Sequence, residues 1–188
     1  VCCNADEGDS GTFADRMLLE GDPFSLLEGM TIAAYAVGAS EGYVYVRSEY
    51  PDAIATLRRA IDVARAGGLL GRHIAGREGF TFDLHVRVGA GAYICGEETS
   101  MLDSLEGKRG EVRAKPPIPA LVGLFSQPTV VNNVLSLATV PMILADGGEA
   151  YAALGTGRSR GTQVFQLAGN VKQGGIVEAD FGITLREL

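Results

Sequence analysis

The chain of 188 residues has few aromatic residues and no long apolar run. It contains no tryptophan, only 7% aromatic residues, and no apolar run near the roughly 20 residues of a membrane helix. The longest apolar run, Met30 to Val37, is broken by Thr31 and Tyr35. We therefore expect no direct membrane insertion.

Cysteine and histidine are also scarce. Cys2, Cys3 and Cys95 contain no C-x-x-C pair, so this chain alone cannot build a zinc site or an iron–sulfur cluster. His73 and His85 are not spaced as metal ligands, and we predict no metal site. An odd cysteine count without framework spacing fits a reducing compartment, where each cysteine is best interpreted as a small buried hydrophobe.

Positive charge is in deficit. The formal net charge is −7 and the isoelectric point is near 4.8, so the surface repels phosphate backbones and nucleic acid is not an expected partner. Hydrophobic residues make up 46% and charged residues 21%, which is typical of a folded globular protein. The length allows one domain with a substantial core.

Segments with strand and helix patterns alternate along the chain. Helix starts are marked by Asp22-Pro23 and Pro51, and helix ends by Gly38 and Gly67-Gly68. The pattern predicts an α/β fold with a mostly parallel, Rossmann-like sheet layered with helices. The predicted elements are strands at 1–3, 42–47 and 80–88, and helices at 22–38, 51–67, about 97–106 and 132–144, the last kinked or interrupted at Pro141.

The second half of the chain is less regular. Residues 108–127 are rich in proline and predict a surface loop, and residues 155–161 are typical of a linker. Residues 162–168 and 175–178 predict a β-hairpin. We therefore predict an α/β domain at residues 1–159 and the start of a second, small domain at 160–188.

An acidic loop, Asn4-Ala5-Asp6-Glu7-Gly8-Asp9, follows the first predicted strand. One interpretation is a solvated turn stabilised by local side-chain hydrogen bonds. The other is a ligand site, because carboxylates accept hydrogen bonds from sugar hydroxyls. A carboxylate also repels a 2′-phosphate, which would select NAD over NADP.

A glycine-rich loop, residues 89–99, follows the predicted strand at 80–88. Its small residues would let a flat ligand approach the backbone, and the helix after it could hold an anion or a polar edge. Alternatively, Glu97 and Glu98 only complement the positive end of the helix dipole. The segment is not a Rossmann fingerprint, because Ile94 stands where that fingerprint has its third glycine.

Two further segments carry polar side chains, and each allows more than one interpretation. The basic cluster Lys108, Arg109, Arg113 and Lys115 could contact cofactor phosphates or a partner subunit, or could be solvated. In the segment after Pro128, Asn132 and Asn133 could bind a ring edge or a phosphate, and the alternative is plain helix capping. Thr129 could cap the helix that begins near Asn132.

Together these segments resemble a known family. N-A-D-E-G-D-x-G-x-F-x-D-R, G-Y-V-Y-V-R-x-E-Y-P, G-A-G-A-Y-I-C-G-E-E-T, E-G-K-R-G-x-x-R-x-K-P-P and P-T-V-V-N-N-V are similar to motifs in NADH-binding flavoprotein subunits. Such subunits occur in respiratory complex I, NAD-linked hydrogenases and NAD-dependent formate dehydrogenases. S-G-T-F-A-D-R-M, R-A-K-P-P-I-P-A-L and Q-L-A-G-N-V look most like the formate dehydrogenase β subunit.

The resemblance implies that FMN and NAD(H) share one pocket. It places the NADH contacts at Asp9, Glu98 and Lys115. The chain departs from the family at Ile118, where an aromatic residue is usual, and at Asp9, where glutamate is usual. The implied FMN contacts are Asn4, Asp6, Glu7, Tyr93, Gly96, Glu97, Val131, Asn132 and Asn133.

The resemblance also implies parts that this chain lacks. A phosphate-binding loop is expected before Val1 and cysteines for a 4Fe-4S cluster after Leu188, so we expect a fragment that is incomplete at both ends. Residues from 160 would open a ubiquitin-like β-grasp domain.

Hydride exchange between stacked cofactors needs no catalytic side chain, so none is predicted. The expected parent is a cytoplasmic formate dehydrogenase with an iron–sulfur γ subunit and a molybdenum subunit. The alternatives are a hydrogenase, complex I, or a scaffold that has lost its flavin.

Overall fold

The computed structural model describes residues 1–188 and is built around a five-stranded sheet. Its strands are β1 (Cys2–Ala5), β2 (Glu41–Arg47), β3 (Gly71–Arg72), β4 (Thr81–Gly89) and β5 (Val131–Asn133). Their order is β3–β4–β2–β1–β5, and all neighbours are parallel except β3 and β4. The predicted α/β fold with a mostly parallel sheet is therefore confirmed.

The helices begin and end largely where the sequence predicts. The Asp22 carboxylate accepts the Ser25 N–H at the start of the second helix, and Gly38 ends that helix at φ 70°. No helix has both the length and the apolar character needed to cross a membrane. The helices are α1 (Ala14–Gly21), α2 (Pro23–Val37), α3 (Pro51–Ala66), α4 (Glu98–Leu105), α5 (Val134–Asp146) and α6 (Gly148–Ala152).

The start of α5 differs from the prediction. Residues 131–133 form a strand, and the cap of α5 is Asn133, whose side chain accepts the Leu135 N–H. The predicted cap at Thr129 is wrong, because its hydroxyl accepts the Leu124 N–H and donates to the Gln127 carbonyl. Of the predicted kink or interruption at Pro141, the interruption is wrong, because α5 runs continuously through Pro141.

Two hairpins follow the helices. The predicted linker at 155–161 is wrong, because β6 (Gly155–Thr156) pairs with β7 (Ser159–Arg160). The predicted hairpin is confirmed as β8 (Thr162–Leu167) paired with β9 (Gly175–Asp180). The predicted domain boundary at 159 falls within β7, and the division into two domains stays a prediction.

The sheet separates two apolar clusters. The larger one joins the sheet to α1, α2, α3 and α5, and the smaller one lies beneath α4. Cys3 belongs to the larger cluster and its neighbour Cys2 to the smaller, because successive side chains of a strand point to opposite faces. All three cysteines are free and buried, and burial raises the pKa of Cys2 to about 11. Their interpretation as small buried hydrophobes is confirmed.

The crossing of α2 and α5 depends on one glycine. A Cβ atom added at Gly29 would overlap the backbone carbonyl of Leu137. We predict that Gly29→Ala lowers the free energy of unfolding by about 1–3 kcal/mol, because the two packed helices must separate. Urea denaturation measures this change.

Gly21→Ala is the matched control, since Gly21 ends α1 with no atom within 4 Å of its Cβ direction. The control should be neutral or slightly stabilising. Equal stability of the two variants would contradict the proposed packing constraint.

Candidate functional site

The carboxyl ends of β1 and β5 meet beside the glycine-rich loop, where ligands usually sit in parallel sheets. Two adjoining cavities open there and share Asp6 and Gly96. The cavity of about 310 Å³ is lined by Asp6, Gly8, Asp9, Tyr93, Ile94, Gly96 and Glu97. The cavity of about 360 Å³ is lined by Asn4, Asp6, Gly96, Glu98, Val131, Asn132 and Asn133. Of the twelve predicted site residues, only Glu7 and Lys115 line neither cavity.

Asn4 ties the end of β1 to the glycine-rich loop. Its Nδ2 donates to the Gly96 carbonyl at 2.8 Å, and its Oδ1 accepts the Asp6 N–H at 3.2 Å. A Cβ on Gly96 would lie 3.4 Å from the Asp6 carbonyl, which is the near limit of ordinary van der Waals contact. The two loops therefore meet at Asp6 and Gly96, between the cavities.

Glu97 is a helix cap as well as a cavity residue. Its Oε2 accepts the N–H groups of Thr99 and Ser100, each at 2.9 Å, and its Oε1 lies 3.1 Å from the Lys115 ammonium. Burial opposes ionisation, but these hydrogen bonds and the nearby cation outweigh it and lower the pKa of Glu97 to about 2.

Lys115 lies between two carboxylates. Its ammonium is 2.5 Å from Glu98 and 3.1 Å from Glu97, and about a third of each of these three side chains is exposed. The loop that carries Lys115 is anchored by Arg113, whose guanidinium pairs with Asp103 and whose N–H donates to Thr99 Oγ1. The loop thereby places one positive charge at the rim of an acidic site.

Tyr93 presents a flat ring at the mouth of the smaller cavity. Its hydroxyl donates to Asp9 Oδ1 at 2.7 Å, and 69% of the residue is exposed. This hydrogen bond, together with the Asp9 charge, raises the pKa of Tyr93. Gly8 allows the arrangement, because a Cβ there would lie 3.0 Å from the Tyr93 ring.

The Glu7 side chain forms its hydrogen bonds with residues outside the two cavities. Its carboxylate accepts the N–H groups of Asp15 and Arg16 and the hydroxyl of Tyr50, at 3.1, 3.3 and 3.0 Å. Glu7 therefore caps α1, which is consistent with the preference for negative charge at a helix amino end. The structure does not bring this carboxylate to the cavities with the other predicted residues.

Asp15 is a site residue that the sequence reasoning missed. It is only 5% exposed, and its Oδ2 accepts the Asn133 Nδ2 at 2.8 Å. Burial, followed by the neighbouring Glu7 charge, raises the pKa of Asp15 to about 7, although the Asn133 hydrogen bond opposes the rise. Its only signal is its place in the F-A-D-R motif, because α1 is too short for a clear helical pattern.

Two polar side chains of the larger cavity have no partner within the protein. The Asp6 carboxylate and the Asn132 amide make no hydrogen bonds, although both line this cavity. Burial raises the pKa of Asp6, with Arg47 lowering it and Glu49 raising it. The site thus offers free acceptors and donors to a ligand that carries hydroxyls and a polar edge.

A mostly parallel sheet with free polar groups at its carboxyl edge is typical of α/β domains that bind nucleotides or flavins. Residues 1–142 match the Nuo51 FMN-binding domain, and the chain belongs to this family. The resemblance drawn from the motifs is thereby confirmed at the level of the family.

The chain is similar over its whole length to two curated relatives. It is 52% identical to the NADP-reducing hydrogenase subunit HndC of Solidesulfovibrio fructosivorans, of which it covers 38%. It is also 52% identical to an NADH-quinone oxidoreductase F subunit of Rhizobium meliloti, of which it covers 44%. The chain therefore spans about two fifths of these relatives.

A solved structure shares the fold. A chain of the NAD⁺-reducing [NiFe]-hydrogenase in its H2-reduced state superposes with a TM-score of 0.89 at 40% identity. The superposition covers 98% of this chain and 31% of the hydrogenase chain. It agrees with the fold class described above.

The residues present fit FMN. The unpartnered Asp6 carboxylate and Asn132 amide suit hydroxyl groups and a polar ring edge, and Gly96 leaves room for close approach to the backbone. The exposed ring of Tyr93 offers an apolar surface beside them. These features favour a ligand cavity over a solvated turn, which the number of acidic residues alone does not.

The Glu97 cap predicts a specific pH dependence of stability. Its folded-state pKa is about 2, below the ordinary value of 4.5, so the charged cap stabilises the fold above about pH 5 and the benefit disappears as pH falls towards 2. Glu97→Gln should therefore cost the most stability at pH 6 and progressively less as the pH falls to 2.5. Urea denaturation across this range measures the difference.

Glu111→Gln is the control, because Glu111 is exposed and has no ion-pair partner. Its stability should follow that of the wild type at each pH. A stability gap between wild type and Glu97→Gln that does not change with pH would contradict the charged cap.

Proposed function

We propose that this chain carries the FMN- and NAD(H)-binding part of an NADH-oxidising electron-transfer subunit. The observation that supports the proposal most strongly is the cavity at β1 and β5, where Asp6 and Asn132 lack internal partners within a chain of an FMN-binding domain family. NADH-quinone oxidoreductase and hydrogenase subunits among the relatives support the same chemistry.

The proposed roles combine the family resemblance with the positions of the residues around the two cavities. The larger cavity holds FMN between Asn4, Asp6 and the β5 asparagines. The rim residues Asp9, Glu98 and Lys115 bind the nicotinamide nucleotide. FMN, when bound, supplies hydride exchange with NAD(H) and single-electron transfer to iron–sulfur clusters. The chain's own residues bind and orient the two cofactors, so no side-chain acid or base is required.

Within this function, a formate dehydrogenase β subunit is the parent that the finer motifs favour. The partners would then be an iron–sulfur γ subunit and a molybdenum subunit of a cytoplasmic complex. A hydrogenase or complex I is the alternative that the names of the relatives favour. Isolation of the full-length protein with its bound subunits separates these parents by the metal content of the complex.

The direct test is the purified full-length protein. We expect the absorbance of bound FMN, its bleaching by NADH, and NADH oxidation with ferricyanide as acceptor. A protein that folds but binds no flavin at micromolar FMN would instead be a scaffold that keeps the fold without the chemistry.

Glu98→Ala should raise the KM for NADH by about tenfold or more, because a charge-assisted hydrogen bond to the nucleotide is lost. The ferricyanide assay measures it, with FMN content determined in the same samples. Glu111→Ala is the control, since this exposed glutamate has no ion pair. An unchanged KM in Glu98→Ala would remove Glu98 from the nucleotide site.

Asp9 is the proposed selectivity residue for NADH over NADPH. A carboxylate near the adenosine ribose gains a hydroxyl hydrogen bond but repels a 2′-phosphate. The repulsion is roughly 4 kcal/mol at about 4 Å and an effective dielectric near 20, before screening. A third of this value gives about tenfold discrimination. The relatives include both NADP- and NAD-reducing hydrogenase subunits, so their names do not decide the preference.

We therefore expect Asp9→Asn to lower the NADH-to-NADPH ratio of kcat/KM by about tenfold, while its side-chain oxygen still accepts the Tyr93 hydroxyl. Asp180→Asn, at the exposed end of β9, controls for general loss of charge. If Asp9→Asn leaves the ratio at the wild-type value, Asp9 is only a turn residue.

A further inference from the structure

The hydrogen bonds of Asn133 leave one of its side-chain N–H groups without a partner. Its Oδ1 accepts the Leu135 N–H at 2.9 Å, and its Nδ2 donates one hydrogen to Asp15 at 2.8 Å. A side-chain amide has two N–H donors, so one N–H stays unused within the protein. Asn133 also lines the larger cavity, where that N–H is available to a ligand.

Asp15 and the Leu135 N–H together decide which atom of this amide faces which partner. The two ends of an amide are nearly equal in shape, so an asparagine held at one end can rotate and exchange its oxygen and nitrogen. The Leu135 N–H requires the oxygen and the Asp15 carboxylate requires the nitrogen. If the amide rotated while both partners stayed in place, its NH2 group would face the Leu135 N–H and its oxygen would face the Asp15 carboxylate. Neither pair could form a hydrogen bond.

We propose that Asp15 is a positioning residue for the flavin: it takes one amide hydrogen of Asn133 and so holds the other ready for an acceptor atom of FMN. The inference rests on the proposed function, because it requires FMN in the larger cavity. It adds a buried residue that touches no ligand but determines how a ligand-binding side chain is presented.

The surroundings of Asp15 suit this role. The residue is 5% exposed in the first turn of α1, and the Glu7 carboxylate accepts its backbone N–H and so fixes that turn. On the neighbouring strand, Asn4 lies beside Asn133 and donates to the Gly96 carbonyl. Both asparagine side chains are thus held by contacts within the protein, and Asp15 makes such a contact without lining the cavity.

Three variants of the full-length protein separate positioning from a purely structural link. Asp15→Ala removes the acceptor. Asp15→Asn keeps an acceptor oxygen and removes the charge. The double variant Asp15→Asn/Asn133→Asp reverses the pair: the new amide donates to the new carboxylate, which can still cap α5, but residue 133 then has no N–H for the flavin.

The dissociation constant of FMN is measured by flavin fluorescence quenching, and the thermal midpoint is measured on the flavin-free protein. We expect Asp15→Ala to weaken FMN binding by about tenfold and Asp15→Asn to stay within about threefold of the wild type. The double variant should melt close to Asp15→Asn yet bind FMN at least tenfold more weakly. Asp52→Ala, in the corresponding turn of α3, should leave FMN binding unchanged.

Wild-type affinity in a folded Asp15→Ala protein would overturn the inference. If that variant does not fold, wild-type affinity in the double variant overturns it instead. In both cases the wild-type protein still binds FMN, so the proposed function survives. If the wild type itself binds no FMN, the proposed function fails and the inference fails with it.

Discussion

The parallel pairing of β1 with β5 is the constraint on which the site depends. Its register sets Asn4 beside Asn133, which are far apart in the chain. The pairing brings the free amide of Asn132 to the same cavity as the free carboxylate of Asp6 and places Asn133 within reach of Asp15. Because β5 has only three residues, its position depends on its pairing with β1 at the sheet edge and on α5, which follows it. Helix α5 in turn packs against α2 at Gly29.

The acidic side chains around this edge have distinct physical roles. Glu7 and Glu97 satisfy the free N–H groups at the starts of α1 and α4, where the helix dipole favours negative charge. Glu98 is paired with Lys115, and Asp6 is unpaired. An acid-rich rim can therefore serve a negatively charged cofactor, because part of its charge is already compensated within the protein.

The success of the sequence-based predictions varied with the length of each element. Long periodic segments such as α2, α3, β2 and β4 were predicted well, because apolar spacing and helix caps act locally. The eight residues of α1 and the three of β5 were missed, since neither length holds a clear period. Thr129 has the chemistry of a cap, but its hydroxyl serves the preceding loop, and Asn133 caps α5 instead. The pairing within residues 155–161 was missed because glycine-rich composition is shared by linkers and tight hairpins.

The sequence by itself determined the alternation of strands and helices, the acidic and glycine-rich loops and, through its motifs, the family. These features depend on residue order over short stretches, which is visible without coordinates. Only the tertiary structure decided which polar groups are already satisfied and which are free. Glu7 and Asp6 are neighbours of like charge, yet Glu7 caps a helix while Asp6 faces a cavity. The burial of Asp15 against Asn133 likewise comes from strand pairing across the sheet, because contacts between distant residues form only when the sheet closes.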